Sequence, residues 1–111
     1  MRSATAGYRS SLSQSLKAFA LARHLPVLCL SSLSRPVSGQ TSEPTLASLR
    51  ESGELEHDAD IVVLLHRSSN DGDDETGEVL CIVAKNRDGE TGRARLTFRP
   101  EWVSFESSTL R

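Results

Sequence analysis

The sequence predicts an α/β fold whose mixed sheet combines parallel strands, covered by helices, with a C-terminal antiparallel hairpin. The apolar runs "VLCLS" (27–31) and "DIVVLLHR" (60–67) each follow a stretch with helical character. Continuously apolar strands that alternate with helices are typical of a parallel sheet buried on both faces. Two later strand-like segments, "EVLCIVAKNR" and "GRARLTFRP", are joined by "DGET", which predicts a hairpin. With 111 residues, the chain is expected to form one domain, 1–111.

The N-terminal part predicts an amphipathic helix from about Ser10 to His24, ended by Pro26. Its apolar side chains recur at helical spacing and share one face: Leu12, Leu16, Phe19 and Ala20. Residues 1–9 are expected to be flexible. A second, short helix is predicted over "PTLASLRESG", between Pro44 and Gly53, and helical character is expected to resume over "ELEHDA".

Two segments have the composition of surface loops. Residues 31–44, "SSLSRPVSGQTSEP", are rich in Ser, Pro and Gly. The acidic stretch "SSNDGDDETG" (68–77) lacks the ligand spacing of a calcium-binding loop, so a solvated loop is the expectation. Cys29 and Cys81 lie inside apolar runs, which predicts reduced core residues. The three histidines are far apart in sequence, and no metal site is expected.

The charge is unevenly distributed along the chain. Residues 1–42 carry five basic side chains and no acidic one, whereas residues 43–111 carry eight basic and fifteen acidic side chains. An acid-free N-terminus rich in Ser and Arg is also found in mitochondrial transit peptides. The favoured interpretation is a basic first helix of the domain, because the helix leads into a predicted strand without a linker. No apolar run approaches the ~20 residues that span a bilayer, so no membrane partner is expected.

Several catalytic motifs are absent from the sequence. There is no G-x-x-x-x-G-K-[ST] and no Gly-Lys dipeptide, so these 111 residues contain no P-loop for a triphosphate. The patterns H-E-x-x-H, paired C-x-x-C and G-x-S-x-G are absent as well.

Three stretches, taken together, carry a family resemblance. "LCLSSLSR" (28–35), "LRESGELEHDADIVVLLHR" (49–67) and "AKNRDGETGRARLTFRPE" (84–101) occur in the order and spacing of the DnaB-type replicative DNA helicases. The chain resembles the second half of that family's RecA-like motor domain over nearly its whole length. The resemblance implies a partial RecA-like fold, in which the half with the Walker A and Walker B motifs would lie upstream of Met1.

The resemblance also implies a DNA-contacting segment. Arg50, Glu51 and Gly53 match a loop that lines the central channel of a hexameric ring and touches single-stranded DNA. An arginine fork and the close approach that a glycine permits both suit phosphate contact. The alternative is structural: Arg50 and Glu51 form a surface pair, and Gly53 ends the helix.

Lys85 and Arg87 match the family's basic pair that reaches into the neighbouring subunit's nucleotide site. The resemblance therefore implies a catalytic role for both, with ATP and Mg²⁺ as cofactors and a homo-hexamer or full-length helicase subunits as partners. An arginine supplied in trans stabilises the charge that develops on a γ-phosphoryl group. The alternative is an ordinary solvated strand end.

Ser32 departs from the family pattern. The family has glutamine at this nucleotide-sensing position, whereas serine is shorter and lacks an amide. Glu56, Asp58 and Asp60 are expected to cap or orient the junction before the second strand, with no individual roles. The resemblance predicts a fragment of an ATP-dependent helicase motor that is cytoplasmic, bacterial or phage-like, with a mitochondrial location as the alternative. The alternative function is a non-catalytic remnant or binding module that docks on a helicase ring or on DNA.

Overall fold

The computed structural model describes residues 2–33, 43–52, 54–67 and 77–108. The helices and strands are, in chain order, α1 (Arg2–Arg23), a 3₁₀ helix (Leu46–Ser52), α2 (Leu55–Asp58), β1 (Ile61–His66), β2 (Glu78–Asn86), β3 (Gly92–Arg99) and β4 (Ser104–Ser107). The chain divides into two compact units: Met1–Arg35 with Thr45–Asp60, and Pro36–Pro44 with Ile61–Arg111.

Helix α1 begins earlier than predicted and ends close to the predicted residue. It extends N-terminally to Arg2, because the stretch before Ser10 contains no proline to interrupt it. At the C-terminus, His24 adopts a left-handed conformation with φ of 55°. The Leu25 N–H then donates to the Ala20 carbonyl at 3.1 Å, which is the bond of a Schellman ending.

The predicted strand "VLCLS" is wrong for the structure. Residues 27–31 form neither a helix nor a strand, and Leu28 and Leu30 are 90% and 89% exposed. A strand is stable only when its backbone groups pair with a neighbouring strand, and no strand in the described part of the chain pairs with this segment. Cys29 is consequently exposed rather than buried, and Cys81 is half-buried; both thiols are free.

The second predicted helix is confirmed as a tighter 3₁₀ helix, and helical structure resumes as α2, as expected. The 3₁₀ helix starts with a local turn, in which the Thr45 N–H donates to Ser48 Oγ at 3.1 Å and the Ser48 N–H donates to the Thr45 carbonyl at 2.9 Å. Leu49 is the buried side chain of this helix, with 6% exposure. Helix α1 packs against both the 3₁₀ helix and α2.

The second unit contains a four-stranded sheet in the order β1-β2-β3-β4. All of its described strands pair in antiparallel fashion, so the predicted hairpin of β2 and β3 is confirmed. The predicted parallel strands do not occur among the described residues. Strand β4 was not predicted; it follows a tight turn in which the Trp102 N–H donates to the Arg99 carbonyl at 3.2 Å.

Strand β1 is buried on one face, not on both as predicted. Val62 and Leu64 are only 7% and 3% exposed. The alternate residues Ile61, Val63 and Leu65 are at least half exposed. β1 is an edge strand of the described sheet, since only β2 pairs with it. A continuously apolar sequence therefore belongs here to a strand with one uncovered face.

Leu64 and Leu65 offer a matched test of this asymmetry. Leu64→Ala is expected to lower the free energy of unfolding by about 2–5 kcal/mol, because it removes a buried side chain and leaves a cavity. Leu65→Ala removes the same atoms from a half-exposed position one residue away, so its effect is expected to be much smaller. Urea unfolding of the two variants measures the difference, and equal losses would contradict the assigned faces.

Candidate functional site

The basic residues Lys85 and Arg87 lie where β2 ends and the β2–β3 turn begins. Lys85 is half-buried and pairs across the ladder with Val62, whereas Arg87 is exposed in the turn. Both side chains take part in interactions within the chain. The structure thus brings the two predicted residues to the same end of the hairpin.

An irregularity in the ladder determines the direction of Lys85. Val62 pairs with Lys85 but Val63 pairs with Val83, so Ala84 is an extra residue in β2. Residues directly opposite each other across a ladder share a face of the sheet. Lys85 therefore shares the face of buried Val62, whereas unbroken alternation from Val83 would have placed it on the face of exposed Val63. Bulges that redirect a side chain are common beside functional sites.

The turn that carries Arg87 is tied together by Asn86. The Asn86 side-chain amide donates to the Glu90 carbonyl at 3.1 Å, and the Gly89 N–H donates to the Asn86 carbonyl at 3.3 Å. A Cβ atom at Gly89 would lie 2.6 Å from the Asn86 amide nitrogen, so a larger residue would displace this side chain. Because the turn is held by its own bonds, it can present Arg87 to another molecule with little freedom to lose.

The predicted DNA-contacting segment is described only in part. The backbones of Arg50 and Glu51 belong to the 3₁₀ helix, directly after buried Leu49. Their side chains, and the whole of Gly53, lie outside the described residues. Their contact with DNA stays a prediction.

Ser32 is exposed and lies in the irregular segment after α1. The neighbouring Ser31 hydroxyl donates to the Ser32 carbonyl at 3.2 Å. The segment that would hold a nucleotide-sensing side chain is thus present as an uncovered, extended stretch of chain. Its sensing role stays untested.

The acidic residues before β1 receive individual partners. Asp58 accepts a hydrogen bond from Ser13, and Asp60 forms an ion pair with Lys17, both from helix α1. The predicted role of orienting this junction therefore has a geometry for two of the three residues. Because the basic helix binds the acidic junction, the N-terminal helix is part of the first unit's fold.

Sequence reasoning missed an apolar cleft in the second unit. It has a volume of about 260 Å³ and is lined by Leu65, His66, Arg67, Val79, Phe98 and Phe105. Phe98 and Phe105 pair across β3 and β4, with ring centroids 5.0 Å apart. A flat apolar ring could lie on these side chains, with the cationic Arg67 at the rim. The alternation in β3 places Phe98 on one face, but only the pairing with β4 completes the cleft.

The described residues contain no group of three or more His, Cys, Asp or Glu side chains that could hold a metal ion. Within the same ranges, no helix is long and apolar enough to cross a membrane.

Comparison with known proteins connects these features to one family. The model of the DnaB-like helicase C-terminal domain matches residues 4–107. The replicative DNA helicase DnaB of Mycoplasma genitalium is 41% identical over 103 residues, which cover 86% of this chain and 22% of that protein. The DnaB protein of Treponema pallidum is 42% identical over 96 residues, covering 86% of this chain and 20% of the relative. The chain thus spans about a fifth of the length of these curated relatives.

Two solved structures share the fold. A helicase ATPase domain superposes with a TM-score of 0.81 at 40% identity, covering 90% of this chain and 36% of that one. A DnaB-like replicative helicase, solved in a study of its interactions with primase, gives a TM-score of 0.76 at 39% identity, covering 86% and 24%. Because the family model spans nearly the whole sequence and the fold agrees with these RecA-like domains, the chain belongs to the DnaB-like helicase C-terminal domain family.

Proposed function

We propose that this chain is part of an ATP-dependent replicative DNA helicase motor, to which it contributes contacts with single-stranded DNA and a trans-acting arginine finger. The observation that carries the proposal is the tied β2–β3 turn, which presents Arg87 beside a redirected Lys85. Two cations at one end of a rigid hairpin suit the phosphates of a nucleotide held by a neighbouring subunit.

The residues present fit one side of an ATP–Mg²⁺ site. Lys85 and Arg87 would lie near the phosphates, where the metal ion neutralises developing charge. No P-loop is present in the 111 residues to hold the phosphates. The arrangement that we propose is therefore a homo-hexamer or a ring with full-length helicase subunits, in which the P-loop comes from outside these residues.

Uncovered apolar surfaces support incorporation into a larger assembly. In the first unit, Leu28 and Leu30 are almost fully exposed, and in the second unit one face of β1 is uncovered. Exposed apolar surface of this kind marks contact with another part of a protein. The matched relatives are about five times longer than the region they share with this chain, so they contain ample sequence to cover such surfaces.

The alternative function is a non-catalytic remnant or binding module that docks on a helicase ring or on DNA without hydrolysing ATP. The absence of Walker motifs and the serine at Ser32 favour it for the 111 residues alone. The uncovered surfaces suit docking equally well, so activity measurements separate the two functions. The bacterial relatives favour a cytoplasmic location for either function and lend no support to the mitochondrial alternative.

The 111-residue chain alone is expected not to hydrolyse ATP, because no residue in it replaces the missing phosphate loop. Phosphate release with and without single-stranded DNA measures this. DNA-stimulated turnover by the purified chain would contradict the expectation.

Arg87→Ala tests the arginine finger in a chimera, in which residues 4–107 replace the matching segment of a DnaB helicase such as that of Mycoplasma genitalium. We expect kcat to fall by roughly 10³–10⁵-fold, because a finger acts on the transition state. Equilibrium binding of an ATP analogue should change little.

The matched control for this substitution is Arg95→Ala. It removes the same charge from an exposed side chain on neighbouring β3, where Arg95 Nε lies 4.0 Å from Glu78 Oε1. Chimeric rings carrying Arg95→Ala should keep the parent's turnover. Full turnover by Arg87→Ala rings would rule out the finger.

Arg50→Ala tests the DNA contact. A motor that moves along any sequence needs contacts to the repeating backbone, so single-strand binding should weaken about equally on all sequences. The salt dependence of binding should decrease by roughly 0.7, the equivalent of one phosphate contact. Salt titrations of the chain and the chimera on several oligonucleotides measure both effects. An unchanged slope with a large drop in Tm would instead make Arg50 structural.

A further inference from the structure

Helix α1 holds the junction between α2 and β1 through two polar side chains one helical turn apart. Ser13 Oγ donates to Asp58 Oδ2 at 2.5 Å, and Lys17 Nζ donates to Asp60 Oδ1 at 2.6 Å. Residues four apart lie on the same face of a helix, so both donors point in the same direction. Asp58 ends α2 and Asp60 immediately precedes β1, so the two bonds fix the point where helix changes to strand.

The two bonds have different surroundings. Ser13 is only 4% exposed, and it is the buried polar residue of the described part of the chain. A buried hydroxyl bonded to a carboxylate leaves a charged acceptor without its partner when it is removed, and water replaces it poorly. The Lys17–Asp60 pair is more open, with side chains 26% and 55% exposed, so it adds less to the hold.

The chain that precedes this junction is tightly ordered. The His57 and Asp58 N–H groups both donate to the Glu54 carbonyl, at 3.0 and 2.9 Å. The Ala59 N–H donates to the Leu55 carbonyl at 3.0 Å. Whatever fixes Asp58 therefore also fixes the chain back to Glu54, the residue directly after Gly53.

Arg50–Gly53 consequently lies between two anchors. Buried Leu49 precedes it, and helix α2, held by Ser13, follows it. Helix α1 packs against both flanking helices, so one element supports both ends of the segment.

We propose that Ser13 and Asp58, assisted by Lys17 and Asp60, are positioning residues for the DNA-contacting segment Arg50–Gly53. This inference rests on the proposed function, since it assumes that Arg50 contacts phosphate. A segment anchored at both ends loses little freedom when it binds DNA, whereas a released segment must be ordered at the expense of affinity.

Electrostatics gives this proposal a distinctive sign. Removing a carboxylate from a protein that binds a polyanion generally strengthens binding. Loss of positioning weakens it. Asp58→Ala should therefore weaken DNA binding although it removes a negative charge.

The test is fluorescence anisotropy of a labelled oligothymidylate with the 111-residue chain, at several salt concentrations. Asp58→Ala and the uncharged change Ser13→Ala should each weaken binding and reduce the salt slope by roughly 0.7, as Arg50→Ala does. Asp58→Asn removes the same charge as Asp58→Ala but keeps an acceptor for Ser13, so it should retain more affinity.

The matched charge control is Glu106→Gln. Glu106 forms an ion pair with Arg99 at 3.3 Å, and both side chains are about half exposed. This change also removes one negative charge but leaves the α1 contacts intact, so binding should equal or exceed that of the parent.

The double variant Ser13→Ala/Arg50→Ala separates positioning from general stability. If Ser13 acts through Arg50, the double variant should lose no more slope than Arg50→Ala alone. Additive losses, or a Ser13→Ala slope equal to the parent's while Arg50→Ala reduces it, would overturn the inference and leave the proposed function standing. An Arg50→Ala slope equal to the parent's, or no binding by the parent, would overturn the proposed DNA contact and the inference with it. Should Asp58→Ala fail to fold by circular dichroism, Ser13→Ala and Asp58→Asn carry the comparison.

Discussion

The antiparallel pairing of β1 with β2 is the interaction on which the second unit depends. This ladder contains three of its features: the buried residues Val62 and Leu64, the extra residue Ala84, and Lys85 on the face opposite to the one that simple alternation predicts. The same ladder continues into the turn that carries Arg87. The packing of an apolar strand and the direction of the basic pair thus have one cause, which is the register of two strands.

The first unit depends on polar contacts to a greater extent. Apart from Leu49, its described apolar side chains are at least partly exposed, and Ser13 is more deeply buried than any of them. A buried hydroxyl bonded to Asp58 and a nearby pair of Lys17 with Asp60 hold α1 to the acidic junction. Such bonds require defined geometry, whereas apolar contacts tolerate sliding, so they suit a unit that must keep a short segment in place.

The uncovered surfaces explain why two sequence predictions were wrong. "VLCLS" and "DIVVLLHR" have the composition of strands buried on both faces, and burial of that kind needs further strands or helices beside them. The described part of the chain supplies no partner for the first stretch and covers one face of the second. The composition of both stretches is consistent with a larger fold, and the matched RecA-like domains are indeed larger than this chain.

The sequence by itself determined the features that depend on nearby residues: the end of α1 before Pro26, the two short helical segments and the β2–β3 hairpin at "DGET". Its three family stretches also identified the family. Tertiary structure alone decided the antiparallel order of the sheet, the exposed face of β1, the direction of Lys85 and the partners of Asp58 and Asp60. Those features depend on pairing register and on contacts between residues more than forty positions apart, such as Ser13 and Asp58. Local propensity carries no information about such contacts, because it reflects only the preferences of neighbouring residues.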